Sequence, residues 1–289
     1  MSRAHIGSAV ATLVLISGSA GCGGSEGSGS AAGDAAAGQG ATSQAQAVQD
    51  AYRRTVAAGT AKLTVVGTAV TEGQQVAAHG SGVVALKDGA SRMTLTSRGA
   101  RIEQRVVDGV AYQKPSGPQR ADLPGGKTWM KIDLARLTRS GSAGQSQVSD
   151  SIGPLRCLKG VRARDVTRVG TGTVDGTSTT HYRVAVPVSA LAGGNSAQSE
   201  ELRHELGTSS PPVDLWLDGR GRLRQERVRL TLHPLGQRTP GKQNAQVTST
   251  TVLKFKDFGT RVDVTPPPAA DTADITGQLV GAGRSAQPG

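Results

Sequence analysis

Asp-Gly occurs four times in this chain, at Asp88-Gly89, Asp108-Gly109, Asp175-Gly176 and Asp218-Gly219, each time between runs rich in valine, threonine, leucine or tyrosine. Such a dipeptide supplies the two positive φ angles of a type I′ turn, whose twist matches that of paired strands, so it is a strong local hairpin signal. The flanking runs predict hairpins of 81–87 with 91–97, 101–107 with 110–114, 166–174 with 177–187, and 212–217 with 222–232. Further strands are expected at 60–71, 127–132 and 244–256. Parallel βαβ units would alternate strands with helical periodicity, and the sequence has no such alternation. The expected fold class is mainly antiparallel β with few helices, α+β.

Helical periodicity is sparse. Residues 44–58 place Val48, Tyr52 and Val56 four apart, with Gly59 as a stop. Shorter helices are expected at 148–159 and 197–206, a loop at 140–147, and a disordered tail after Pro266-Pro267-Pro268. Along the strands, Met93 and Leu95, Tyr182, Val184 and Val186, Val213, Leu215 and Leu217, and Val228, Leu230 and Leu232 alternate with polar or small residues. Each strand therefore has one apolar side. With two tryptophans, three tyrosines and two phenylalanines, the chain has little aromatic bulk to fill the apolar side of so large a sheet. Either aliphatic side chains close the core, or a hollow remains for an apolar guest.

The N-terminus carries Arg3 and then an apolar run from Ile6 to Ile16, which as a helix would span only about 16 Å. That is a signal peptide and not a spanning segment. Ser19-Ala20-Gly21-Cys22 resembles the bacterial lipobox, in which the cysteine is lipidated and becomes the mature N-terminus. The usual leucine three residues before the cysteine is here Ser19, and the alternative is cleavage after Ala20 with secretion of an unanchored protein. The glycine-, serine- and alanine-rich residues after Cys22 read as a tether that reaches roughly 25 Å. A diacyl thioether with an N-linked acyl chain, of the palmitate kind, would hold such a protein stably at a bilayer. The organisation expected is a signal peptide at 1–21, a tether at 22–43, one β domain at 44–269 and a tail at 270–289. With Cys22 lipidated, Cys157 has no disulfide partner and reads as a small buried residue.

The formal charge is +11, with basic groups at Arg98, Arg101 and Arg105, at 156–168, and between Arg220 and Arg229. For an exported chain this excludes nucleic acid and suits either an anionic membrane or wall polymer or a solvated basic surface. Catalytic signatures are missing where they would need to be. Residues 23–27 match G-x-S-x-G but lie in the tether, whereas a nucleophile elbow needs a strand-to-helix turn. Residues 170–176 (GTGTVDG) miss the dinucleotide fingerprint by one residue and open a hairpin. His79, His181, His204 and His233 are scattered, with no metal-ligand spacing. No enzyme, cofactor or metal is expected.

The order of motifs then gives a resemblance. RVVDGVAYQK (105–114), KTWMKIDL (127–134), STTHYRVAV (178–186), VDLWLDGRGRLRQ (213–225) and LKFKDFGTRVDVTPP (253–267) follow one another as in the actinobacterial LppX/LprAFG lipoproteins, relatives of the LolA-type carriers. The resemblance spans about residues 45–269. It implies a half-barrel sheet with helices over its concave face, enclosing an apolar cavity for an acylated lipid or glycolipid. Some relatives work with a membrane transporter; the protein expected here is a monomer held at the outer face of the cytoplasmic membrane through Cys22. The lining then comes from one alternate set of strand residues: Leu63, Val65, Met93, Leu95, Tyr182, Val184, Leu215, Leu217, Val228 and Leu230. On that reading tryptophan at Val184 or Leu230 should block lipid uptake and spare the fold. Tyr112, Trp129, Tyr182 and Trp216 are expected in the core or the lining. The alternative is an anchored scaffold or sensor with no lipid cargo.

Overall fold

The computed structural model describes residues 35–71, 74–116, 123–140, 161–191, 196–233 and 246–285. Among these, twelve strands form one sheet. In chain order they are β1 (Thr60–Thr71), β2 (Gln74–Ala85), β3 (Ser91–Ser97), β4 (Ala100–Val107), β5 (Val110–Pro115), β6 (Trp129–Asp133), β7 (Val166–Val174), β8 (Thr177–Ala185), β9 (Pro212–Asp218), β10 (Leu223–Leu232), β11 (Val247–Lys256) and β12 (Thr272–Asp274). The spatial order is β12-β6-β5-β4-β3-β2-β1-β11-β10-β9-β8-β7. Two antiparallel meanders thus leave the central pair β1–β11 in opposite directions. β12 alone pairs parallel, on the outside of β6. The antiparallel class expected from the hairpin signals is the one observed.

Of the four Asp-Gly pairs, two make the tight turn expected. Asp108 and Gly109 have φ of 50° and 74°, and Asp175 and Gly176 have 46° and 79°. At the other two the aspartate works through its side chain. Asp88 accepts from the Ala90 amide at 3.0 Å. Asp218 ends β9 and its carboxylate accepts from the amides of Arg220 and Arg222 at 2.9 and 3.0 Å, and from Arg222 Nε at 2.9 Å. The turn there is wider, and the positive φ falls on Gly221. A further tight turn, Arg98-Gly99 with φ of 48° and 75°, joins β3 to β4.

Five α-helices are described: α1 (Ala35–Ala57), α2 (Leu134–Arg139), α3 (Val188–Leu191), α4 (Ser196–Leu206) and α5 (Thr276–Ser285). α1 begins earlier than expected, so residues 35–43 of the supposed tether are helical. Val48 and Ala51 of α1 are fully buried against Leu63, Val84, Val184, Val213, Leu215 and Phe255, and Leu202 of α4 packs on the same core. At the other end of the sheet, Leu137 of α2 and Val280 of α5 meet Val106, Ala111 and Ile132. Strand register puts all of these on one side, here called the inner face. Each large aliphatic side chain buried there contributes roughly 2 kcal/mol.

The tail expected to be disordered from residue 270 instead carries β12 and α5. β12 is held in register beside Trp129–Lys131, and α5 closes the second core cluster through Ile275, Leu279 and Val280. The three prolines end the path from β11, and the apolar spacing after them rebuilds a helix. The signal segment, the lipobox with Cys22, the 23–27 match, Cys157 and the helix expected at 148–159 lie outside the described residues.

Asp218 offers a direct test of the turn chemistry. Burial alone would raise its carboxyl, but hydrogen bonds from the Arg222 side chain and amide and from the Arg220 amide outweigh it and hold it below the usual carboxylate range. Asp218→Ala strips these bonds from a buried position and is expected to cost about 2–3 kcal/mol at neutral pH. A lowered acid stabilises above its unfolded value, so the difference between wild type and variant should shrink as pH falls through and below about 4. Urea titrations at pH 7 and pH 3 check both statements.

Candidate functional site

The inner face is organised in rows that run across the strands. Leu63 faces Phe255 and Gly82, and Gly82 faces Met93. One step along, a single row reads Pro115, Ile102, Leu95, Gly80, Val65, Leu253, Glu226, Leu215, Tyr182 and Arg168. The next holds Gly67, Thr251, Val228, Val213, Val184 and Val166. Gly80 leaves room in its row, since a Cβ there would stand 2.7 Å from Leu95 Cδ2 and the leucine would have to shift. Its absence lets the leucine lie across β2.

All ten residues expected to line a cavity lie on this face. Leu63, Met93, Val184, Leu215 and Leu217 are buried in the main core. Leu230 is buried further along β10 at 4% exposure. Val65, Leu95, Tyr182 and Val228 pack against the same core but are only half-buried. The face is thus closed beneath α1 and partly open where these four lie. For that reason the substitutions expected to fill a cavity fit poorly at Val184 and Leu230. Val184 is fully buried, and a tryptophan there overpacks the core at a cost of about 1–3 kcal/mol or more.

One residue in this apolar field was not foreseen. Glu226 stands between Leu253 and Leu215 on the flanking strands, is 1% exposed, and its Oε2 has no hydrogen-bond partner. Burial pushes its carboxyl up to about 7. Arg224, two residues earlier at a bulge between β9 and β10, is also buried, and its Nε has no partner. The guanidinium lies 5.5 Å from the Phe258 ring, and Arg222 lies over the same ring at 4.4 Å. The alternation of Glu226 with Val228 and Leu230 was the available signal: it has their parity.

The opposite face has a different chemistry. Trp216, expected in the core or the lining, lies there stacked on His181, with ring centroids 4.3 Å apart and planes at 5°. Asp214 beside it accepts from His181 Nε2 at 2.9 Å, Arg183 Nε at 3.1 Å and an Arg227 terminal nitrogen at 2.8 Å. Burial would raise the Asp214 carboxyl, but these hydrogen bonds from Arg227, His181 and Arg183 prevail and hold it low. Trp129 is also on the outer side, under Arg105 at 4.7 Å and Lys114 at 5.7 Å. Cation–π contacts of this kind bury an indole without an apolar core. Tyr112 shares that side, opposite Arg105 and Lys131.

Among the described residues no group of three or more His, Cys, Asp or Glu is placed to hold a metal ion. No helix among them is long and apolar enough to cross a membrane.

The fold and site together define an open antiparallel sheet with helices on one apolar face. No protein-family model matches the sequence. Over 258 residues the chain is 29% identical to a Streptomyces coelicolor protein named as a lipoprotein, a match covering 83% of this chain and 78% of that one. Among solved structures, the Mycobacterium tuberculosis lipoprotein LppX aligns with a TM-score of 0.43 at 17% identity, covering 76% of this chain and 99% of that chain. LprF of Mycobacterium bovis aligns with a TM-score of 0.41 at 14% identity, covering 78% and 98%. A LolA-superfamily protein of Nitrosomonas europaea aligns with a TM-score of 0.24 at 9% identity, covering 78% and 96%.

Proposed function

We propose that this chain is a membrane-anchored lipoprotein that binds an acylated lipid or glycolipid against the inner face of its sheet and carries or presents it in the cell envelope, without catalysis. The observation that carries the reading is the inner-face row, apolar across most of the sheet and only half covered at Val65, Leu95 and Tyr182, with Val228 beside it. Such a surface suits a flexible acyl chain, since apolar contact without directional bonds tolerates many chain conformers. Lipidation at Cys22 and residence at the outer face of the cytoplasmic membrane follow from the Ser19–Cys22 motif, supported by the name borne by the Streptomyces relative. A membrane transporter that loads or unloads the lipid fits the same setting.

The test is native mass spectrometry of the protein purified gently from an actinobacterial host, followed by solvent extraction and lipid analysis. A stoichiometric added mass that disappears on extraction, with an acyl lipid recovered, is the expected result. A clean unliganded mass would overturn lipid carriage and favour a scaffold or sensor.

A further inference from the structure

We infer that Glu226 is a polar anchor within the apolar inner face, accepting a hydrogen bond from a hydroxyl group carried by the bound lipid. The inference rests on the lipid-binding reading and specifies the chemistry of the guest. Glu226 has Leu253 and Leu215 as cross-strand neighbours and Val228 next to it on the same face of β10. Its carboxyl is buried with Oε2 unpartnered, and no ion pair joins it to Arg224. Native cores do not hold unpaired polar atoms without a reason, because each forfeits the hydrogen bonds it had in water.

The half-buried residues point to what supplies the missing partner. Val228 adjoins Glu226 on one side, and Tyr182 and Val65 each lie two strands away in the same row. An acyl chain laid along this row reaches the carboxyl once the cover over Glu226, Leu215 and Leu253, which are 1%, 0% and 5% exposed, moves aside. A plain hydrocarbon would leave it unserved, whereas a hydroxyl would satisfy it. A hydroxyl brings a donor for the acid without bringing a charge into the apolar row.

The experiment compares two probes with the same sixteen-carbon acyl chain, 1-monopalmitoylglycerol and methyl palmitate, as competitors for a fluorescent fatty-acid analogue on the purified full chain. Wild type should prefer the monoacylglycerol by roughly tenfold or more, the scale set by one hydrogen bond to a charged group. Glu226→Leu should abolish the preference while binding methyl palmitate at least as well as wild type does. Glu226→Gln, which keeps an acceptor oxygen, should retain it. Equal affinity of wild type for the two probes, or a preference that survives Glu226→Leu, would sink the assignment of Glu226 and leave lipid carriage standing. Failure of wild type to bind either probe would remove the lipid-binding reading and this inference with it.

Discussion

Glu226→Leu should stabilise the unliganded protein, and by more at pH 8 than at pH 5. The wild-type carboxyl is pushed up by burial to about 7, from an ordinary glutamate value of 4.5. An acid raised in the folded state is protonated there over a range in which the unfolded chain has already ionised. Its contribution is therefore most favourable below about 4.5 and declines as pH rises to about 7, beyond which the full penalty applies. From pH 5 to pH 8 that loss amounts to about 2–3 kcal/mol in wild type, and the leucine variant has no such group. For a chain of this size the gain at pH 8 corresponds to roughly 5–10 °C in thermal midpoint. The cross-strand partners of Glu226 are Leu215 and Leu253, and burial is the cause of its raised carboxyl. Thermal scans of both proteins across this pH range check the sign. A variant less stable than wild type at pH 8 would mean that the carboxyl has a stabilising partner. A protein that retains so costly a residue gives up stability for something other than folding.

How much of this was legible before the structure depended on what each residue does locally. Asp108-Gly109 and Asp175-Gly176 are local instructions, and both turns form as read. Asp218 carries the same dipeptide, but its carboxylate binds three donors of the following loop, so it makes a different turn. Arg98-Gly99 makes the tight turn without the sequence signal, because flanking register already sets the geometry. Period-two alternation predicted that the ten expected lining residues share one face, and they do, since a single backbone step decides the side. Alternation does not report depth, however. Val184 and Val228 share a face, yet one is sealed and the other half-buried, a difference imposed by helices from distant parts of the chain.

The misses have the same origin. Trp129 is buried as a core residue would be, at 5% exposure, but on the outer side under Arg105 and Lys114, while Trp216, read the same way, is half-buried there under Arg227. The segment after the prolines looked unstructured because its three-residue strand and its helix each lack stability alone. β6 and the Val106–Ile132 cluster supply the partners. Glu226 was passed over because a charge in a strand is read as solvent-facing.

Val65 and Val66 allow the sharpest test of which face holds the lipid, because adjacent residues of one strand point to opposite sides. Val65 is half-buried on the inner face, while Val66 is 37% exposed on the outer one. Val65→Trp extends a large ring over the row that includes Leu253 and Leu95. Because part of this residue already meets solvent, the ring can be accommodated without the overpacking expected at Val184. The expected outcome is a fold kept to within a few degrees of the wild-type midpoint and a co-purified lipid signal reduced from near-stoichiometric to a small fraction. Val66→Trp, with the same added bulk one residue away, should carry lipid as wild type does. Val228→Trp should reproduce the Val65→Trp result from the next row, two strands away. Lipid lost equally in the Val65 and Val66 variants would indicate disturbance of β1 itself, and lipid lost only in Val66→Trp would move the site to the outer face. If the three folded variants all carry lipid normally, the acyl chain lies elsewhere than over the half-buried middle of the sheet.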